Sequence, residues 1–165
     1  MSRLLDKTQA ALDELGLKYK VLECDPDLAD TAQFCEAYGF GLNQSANAII
    51  VVGKGTEPKF CCCLVLATTR LDVNKTVCKL LGVKKASFAS ADQTKELTGM
   101  EIGGVTPFGL PDDLPIYVDE AVMGQKEAVV GGGNRSSKIV LDPTELKKVS
   151  ALRAIADLAK PAPVL

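Results

Sequence analysis

The 165-residue sequence contains no histidine, and this absence removes several common kinds of active site. A serine or cysteine nucleophile that depends on a histidine base cannot be built from these residues. The six cysteines stand at positions 24, 35, 61, 62, 63 and 78, and no two of them form a Cys-x-x-Cys pair. A structural zinc site would therefore lack its usual ligands. We expect free thiols, no metal and no other cofactor.

An excess of positive charge and long apolar runs are also missing. The chain has 19 basic and 21 acidic residues, which gives a formal net charge of −2. This balance argues against a dedicated DNA-binding protein, although one local positive patch could still bind a partner. The longest apolar runs, 48–52 and 61–67, have the length of strands and are too short to span a bilayer. We expect a cytoplasmic protein that binds neither DNA nor a membrane.

The residues that are present alternate between helical and strand patterns. Apolar spacing and glycine stops predict helices over 4–15, 31–38 and 73–81, and a capping box at Ser90 and Gln93 predicts another to about residue 97. Apolar runs between turn residues predict strands at 19–23, 46–52, 60–67, 84–88, 116–118, 128–130 and 138–141. The segment Asp142-Pro143-Thr144-Glu145 predicts the start of a last helix, which apolar residues in 152–158 could extend.

The order of these elements predicts a single compact domain of the α/β class, α+β in type. Several strands follow one another through short turns, and 46–52 with 60–67 make a plausible hairpin. We therefore expect a mixed, mostly antiparallel sheet wrapped by helices. The domain should cover residues 1–160, and residues 161–165 should form a loose tail.

Most polar or reactive clusters have a plain structural interpretation. Cys61, Cys62 and Cys63 lie inside an apolar run and should be small core residues on a buried strand. The acid pairs Asp112-Asp113 and Asp119-Glu120 fall in predicted loops, where we expect them to be solvated.

Two glycine-rich stretches are the main candidates for a ligand site. They are Gly103-Gly104-Val105-Thr106-Pro107-Phe108-Gly109 and Gly131-Gly132-Gly133-Asn134-Arg135-Ser136-Ser137-Lys138. Glycine lets a backbone approach a ligand closely, and exposed N–H groups in such turns can hold an anion or an oxyanion. Neither stretch has the spacing of a phosphate-binding loop or of a dinucleotide fingerprint. Each stretch taken alone is typical of a hairpin turn, so both interpretations stay open.

In this order along the chain, these motifs resemble the YbaK/EbsC family of aminoacyl-tRNA editing domains. That family includes the editing domain inserted in bacterial prolyl-tRNA synthetases. The first glycine stretch is similar to the family's Gly-Gly-(Val/Ile)-(Ser/Thr/Pro)-Pro-x-Gly. Further matches are Cys63-Leu64-Val65-Leu66-Ala67-Thr68, Gly82-Val83-Lys84-Lys85-Ala86 and Val130-Gly131-Gly132-Gly133-Asn134-Arg135. The resemblance covers residues 2–149.

The resemblance implies a free-standing deacylase that hydrolyses the ester between a wrongly attached amino acid and the terminal adenosine of tRNA. It implies aminoacyl-tRNA as the partner, with a synthetase as a further one, and catalysis by positioning, water or ribose hydroxyl and backbone donors. The implied catalytic residues are Asn47, Gly103 and Gly104. The implied substrate-binding residues are Thr31, Thr68, Thr106, Pro107, Gly109, Gly131, Gly132, Gly133, Arg135 and Lys138.

One departure from the family pattern affects the expected chemistry. Family members commonly carry a lysine on the strand after the second helix, and Asn47 stands at that position here. An asparagine offers a neutral amide where a lysine offers a full positive charge. The missing charge could be supplied by Lys138 or Arg135. Otherwise, the chain would be a catalytically impaired module that binds tRNA or an aminoacyl ligand.

Overall fold

The computed structural model describes residues 4–161, apart from the side chain of Thr31. The α-helices of this part are α1 (Asp6–Leu15), α2 (Thr31–Tyr38), α3 (Cys78–Leu81), α4 (Ala91–Thr98) and α5 (Glu120–Met123). The strands are β1 (Lys20–Glu23), β2 (Ala46–Gly53), β3 (Lys59–Leu66), β4 (Thr69–Leu71), β5 (Ala86–Phe88), β6 (Ile116–Asp119), β7 (Ala128–Gly131), β8 (Ser137–Leu141), β9 (Leu152–Ile155) and β10 (Ala159–Pro161). Short 3-10 turns cover Pro26–Leu28, Leu42–Gln44 and Pro143–Lys148, and a π-helical turn, Val73–Val77, leads into α3.

The strands form two sheets and one small ribbon. The larger sheet has the order β5-β2-β3-β6-β9, with antiparallel pairing from β5 to β3 and parallel pairing from β3 to β9. The smaller sheet, β1-β8-β7, is antiparallel, and so is the ribbon of β4 and β10. The predicted mixed, mostly antiparallel α/β fold is therefore confirmed. A bridge between Ser45 and Val129 links the start of β2 to β7, so the two sheets meet there.

The core is built around β3, which packs on both faces. Cys61, Cys62 and Cys63 are each fully buried, as their apolar run predicted, and burial raises the pKa of the Cys62 thiol. One core cluster centres on Leu12, Leu64 and Phe108, so α1 covers one face of the larger sheet. In the described part of the chain, no helix has the length and apolar character that crossing a membrane requires.

Several expectations from the sequence are corrected. Residues 152–155 extend no helix, because Leu152–Ile155 pairs in parallel with β6 as an edge strand. The segment Pro143–Lys148 begins with Asp142 as its cap, as predicted, but winds as a 3-10 turn. Asp119 was expected to be solvated but is only 3% exposed, and backbone N–H groups of the residues at 121, 158 and 159 donate to its carboxylate. Pro161 belongs to β10 opposite Thr69, while residues 162–165 lie outside the described part.

Candidate functional site

A cavity of about 240 Å³ lies where the two sheets meet. β2 supplies one wall, and β7 and β8 supply the opposite wall. The loop that begins the first glycine stretch closes a third side. The lining residues are Asp30, Ser45, Ala46, Asn47, Ala48, Ile49, Ile102, Gly103, Val105, Val129, Val130, Gly131 and Lys138. A concave site whose apolar walls carry a few convergent polar groups is typical of small-molecule binding.

The two glycine-rich stretches pack against each other, backbone to backbone. The N–H of Gly133 donates to the carbonyl of Gly104 at 2.7 Å. A β-carbon on Gly104 would overlap the backbone of Asn134, and one on Gly131 would overlap the carbonyl oxygen of Val105. The close approach of the two loops therefore accounts for these two glycines, and it brings both stretches to the edge of the cavity.

Lys138 is the cation of the cavity wall. It is 7% exposed, and its ammonium donates to the carbonyls of Ala29 at 2.8 Å and Gly103 at 2.9 Å. The same nitrogen lies 5.4 Å from the centroid of the Phe34 ring, within range of a cation–π contact. Burial, reinforced by the nearby Arg135 guanidinium, lowers the pKa of Lys138. An ammonium has three donors, and these two carbonyls use two of them.

Arg135 has a different role, because its guanidinium holds the surrounding loops together. Its Nε and Nη2 donate to the carbonyl of Pro26 at 3.2 and 2.9 Å. Its Nη1 donates to the carbonyl of Ile102 at 2.8 Å and to the carboxylate of Asp30 at 3.2 Å. This network fixes the Pro26–Leu28 turn against the first glycine stretch. Of the two cations that could replace a missing lysine, only Lys138 lines the cavity.

Asn47 lies on β2 opposite Val65 and forms part of the cavity lining. Asn47 and Lys138 therefore line one cavity, although they are far apart in sequence. Gly103 and Gly131 also line it. Gly103 adopts a φ of +93°, a backbone conformation that favours glycine.

Of the other predicted site residues, those whose side chains the structure describes lie outside this cavity's lining. Thr68 is exposed in the turn between β3 and β4, and Thr106 is fully buried. Pro107 and Gly109 border a separate cavity beside α1, and Gly133 packs against Leu5 and Thr8. Gly132 faces Ser137, and Gly104 packs on the facing loop. Thr31 begins α2, and its side chain lies outside the described part of the structure.

Sequence reasoning missed Asp30, Ser45 and Ile102 as cavity residues. Asp30 precedes α2 and has the residue type of a helix cap, but its carboxylate makes no capping bond and pairs with Arg135 instead. The sequence shows an acid at a helix-cap position, but only the tertiary structure shows that this acid pairs with a distant arginine. Ile102 directly precedes the glycine stretch and is 50% exposed, although it lines the cavity.

Comparison with known proteins identifies the family of the chain that forms this cavity. The sequence profile of the aminoacyl-tRNA editing domain matches residues 25–149, which is more than half of the chain. The chain belongs to the aminoacyl-tRNA editing domain family. The lining residues run from Asp30 to Lys138, so the whole cavity falls inside the matched editing domain. Domains of this family act on aminoacyl-tRNA.

Individual relatives support this membership of the editing-domain family. The prolyl-tRNA editing protein ProX of Acetoanaerobium sticklandii is 27% identical over 147 residues, which covers 85% of this chain and 86% of ProX. The uncharacterized protein YwhH of Bacillus subtilis (strain 168) is 29% identical over 140 residues, which covers 85% of this chain and 87% of YwhH. A crystal structure of a proposed trans-editing enzyme for prolyl-tRNA synthetase superposes with a TM-score of 0.80, at 28% identity, over 98% of this chain and 99% of that one.

Proposed function

We propose that this editing domain hydrolyses the ester of a mischarged aminoacyl-tRNA as a free-standing enzyme. The observation that supports this proposal most directly is the buried ammonium of Lys138 in the wall of the cavity that Asn47 also lines. The family resemblance implies a lysine at the position of Asn47. In this proposal, Lys138 supplies the positive charge from the opposite wall, and the cavity keeps a cation despite the asparagine.

The proposed reaction needs a positive donor at the ester carbonyl. Water adds to the carbonyl carbon, the bond to the ribose oxygen breaks, and that oxygen takes a proton. The products are the free amino acid and tRNA. The ammonium of Lys138 stabilises the oxyanion, since a fixed and buried charge acts strongly on charge that develops beside it. The Asn47 amide orients the ester, and the Asp30 carboxylate attracts the free α-ammonium of the aminoacyl group.

The cavity volume of about 240 Å³ suits a small aminoacyl group, such as alanine, serine, threonine or cysteine. A synthetase that produces the mischarged tRNA is the natural partner of such an enzyme.

A second candidate function is a module that binds the same ligand without hydrolysing it. The observation in its favour is that Lys138 already donates to two backbone carbonyls, as a purely structural lysine would. In that case, the neutral Asn47 would leave the cavity without a cation available to the ester.

The decisive experiment measures ester loss from a panel of correctly charged and mischarged tRNAs. We expect the native protein to hydrolyse at least one mischarged pair selectively. Lys138→Gln should lower kcat about 100- to 1,000-fold, because one oxyanion donor is removed. Lys138→Arg should keep part of the rate, and Lys126→Gln, which removes an exposed lysine before β7, should leave it unchanged.

Two further results would each overturn one part of this proposal, the first the hydrolysis by the native protein and the second the role of Lys138. If the native protein hydrolyses no ester and Asn47→Lys does, the binding-module function is the correct one. If Lys138→Gln is fully active while its thermal unfolding matches that of the native protein, Lys138 does not act on the ester.

A further inference from the structure

A second, mainly apolar cleft continues directly from the candidate site. It has a volume of about 240 Å³ and shares five lining residues with the first cavity: Ala48, Ile49, Ile102, Gly103 and Val105. Beyond these, it is lined by Ile50, Phe88, Ala89 and Thr94. A ligand that fills the first cavity can therefore extend into this cleft without leaving the protein surface.

Phe88 is placed as a platform at the outer end of this cleft. It stands at the end of β5, an edge strand of the larger sheet, and is 59% exposed. A ring this exposed contributes little to the core, and it continues the apolar lining of the cleft beside it. Ile102, which lines the same cleft, is 50% exposed. Phe88 and Ile102 thus offer apolar surface to a flat, partly apolar group.

On its far side, Phe88 borders another surface cleft that contains two cations. That cleft is lined by Arg70 and Lys160, among others. These two residues face each other directly in the antiparallel pairing of β4 and β10. Like charges in directly opposite positions destabilise a strand pair, and an anion between them would relieve that repulsion.

Asp72 is the acid of this cleft and offsets the two cations only in part. Its carboxylate lies 3.9 Å from the Lys160 ammonium. It also accepts hydrogen bonds from the hydroxyl of Thr76 at 2.9 Å and from the N–H of Lys75 at 3.3 Å. Most of its capacity is therefore used in capping the Val73–Val77 turn, and the exposed Arg70 guanidinium stays available to an anion.

We propose that this surface, from the cavity past Phe88 to Arg70 and Lys160, binds the single-stranded 3′ end of the tRNA. A base stacks on the Phe88 ring, and a backbone phosphate of the same strand lies between Arg70 and Lys160. Single-stranded nucleic acid is generally bound by this combination of an aromatic platform and adjacent cations. The inference rests on the proposed function, since the aminoacyl end must enter the first cavity.

The test uses a fluorescein-labelled single-stranded RNA that ends in an unacylated CCA, with binding followed by fluorescence anisotropy. Phe88→Ala should weaken binding about tenfold or more, since stacking on one aromatic ring contributes that much per base. Phe88→Tyr keeps the ring and should bind nearly as the native protein does. Replacing both Arg70 and Lys160 by Gln should reduce the slope of log affinity against log salt by roughly 0.7 for each phosphate that the protein no longer neutralises. Lys126→Gln should leave this slope unchanged.

Binding and hydrolysis are measured separately, so the two proposals can fail independently. If Phe88→Ala changes neither the RNA affinity nor the KM for aminoacyl-tRNA, the inference is overturned, even when hydrolysis is intact. If the native protein hydrolyses no ester but its RNA affinity depends on Phe88, the inference stands and the proposed hydrolysis fails. Sedimentation provides the remaining check: a dimer that Phe88→Ala dissociates without any change in RNA affinity would make this cleft a self-association surface instead.

Discussion

At the scale of single residues, two buried threonines differ in whether the hydroxyl has a hydrogen-bond partner. Thr98 and Thr106 are both almost fully buried. The Thr98 hydroxyl donates to the carbonyl of Thr94 at 2.6 Å and accepts from the N–H of Met100 at 3.0 Å. The Thr106 hydroxyl has no hydrogen-bond partner in the part of the chain that the structure describes. A buried hydroxyl without a hydrogen-bond partner lowers the stability of the fold, whereas a hydrogen-bonded one raises it.

These two threonines make a matched pair for measurement. Thr106→Val should leave the free energy of unfolding unchanged or raise it by about 1 kcal/mol, because it removes an unpaired hydroxyl. Thr98→Val should lower that free energy by about 1–2 kcal/mol, because it leaves the Met100 N–H without its acceptor. Urea denaturation of both variants provides the measurement. An equal decrease in both would show that the Thr106 hydroxyl has a partner, such as a buried water.

At the scale of elements, the candidate site depends on how closely two loops approach. The sequence predicted both glycine stretches and left open whether they were turns or ligand contacts. In the structure they are turns that contact each other, and that contact forms one side of the cavity. The glycines at 104 and 131 are required by the facing backbone, which lies far away in sequence. Sequence patterns around either stretch alone could not reveal this requirement.

Gly131→Ala should therefore destabilise the protein and distort the cavity. A β-carbon there would overlap the carbonyl oxygen of Val105, and overpacking of this kind costs about 1–3 kcal/mol. Gly55→Ala is the matched control, since the nearest atom to its added carbon would be 3.8 Å away, at ordinary contact distance. Thermal unfolding of both variants measures the difference. If Gly131→Ala unfolds at the native temperature, the two loops do not pack as described.

At the scale of the whole molecule, the C-terminal segment completes the larger sheet. β9 adds the edge strand beside β6, and β10 pairs with β4. Between them, Leu158 is fully buried in the cluster that also contains Val65 and Tyr117. Asp119, at the end of β6, accepts N–H groups of this segment. The segment is thus part of the domain core, although it lies outside the range matched by the family profile.

Leu158→Ala should lower the free energy of unfolding by about 2–5 kcal/mol, as expected for a large-to-small change at a fully buried site. Leu42→Ala, at an apolar position that is 43% exposed, should cost much less. Chemical denaturation compares the two variants. A destabilisation at Leu158 no larger than that at Leu42 would show that the C-terminal segment does not pack against the sheet in solution.

The sequence by itself determined the local elements whose signals lie within a few residues. The helix at 31–38, the hairpin of β2 and β3, the capping box at Ser90 and the buried cysteine strand all follow from short-range spacing, and the structure has each of them. Only the tertiary structure decided what happens to residues 152–155. Their apolar spacing fits a helix or an edge strand, and the free edge of β6 selects the strand.

The candidate site follows the same division. The order of the glycine motifs was enough to indicate the editing-domain family, and Asn47 and Lys138 were both recognised as candidates from the sequence. That these two residues line one cavity while Arg135 holds loops together depends on contacts across about a hundred residues of chain. Long-range packing selects these partners through shape and burial, and neither property is encoded in the residues adjacent to either partner.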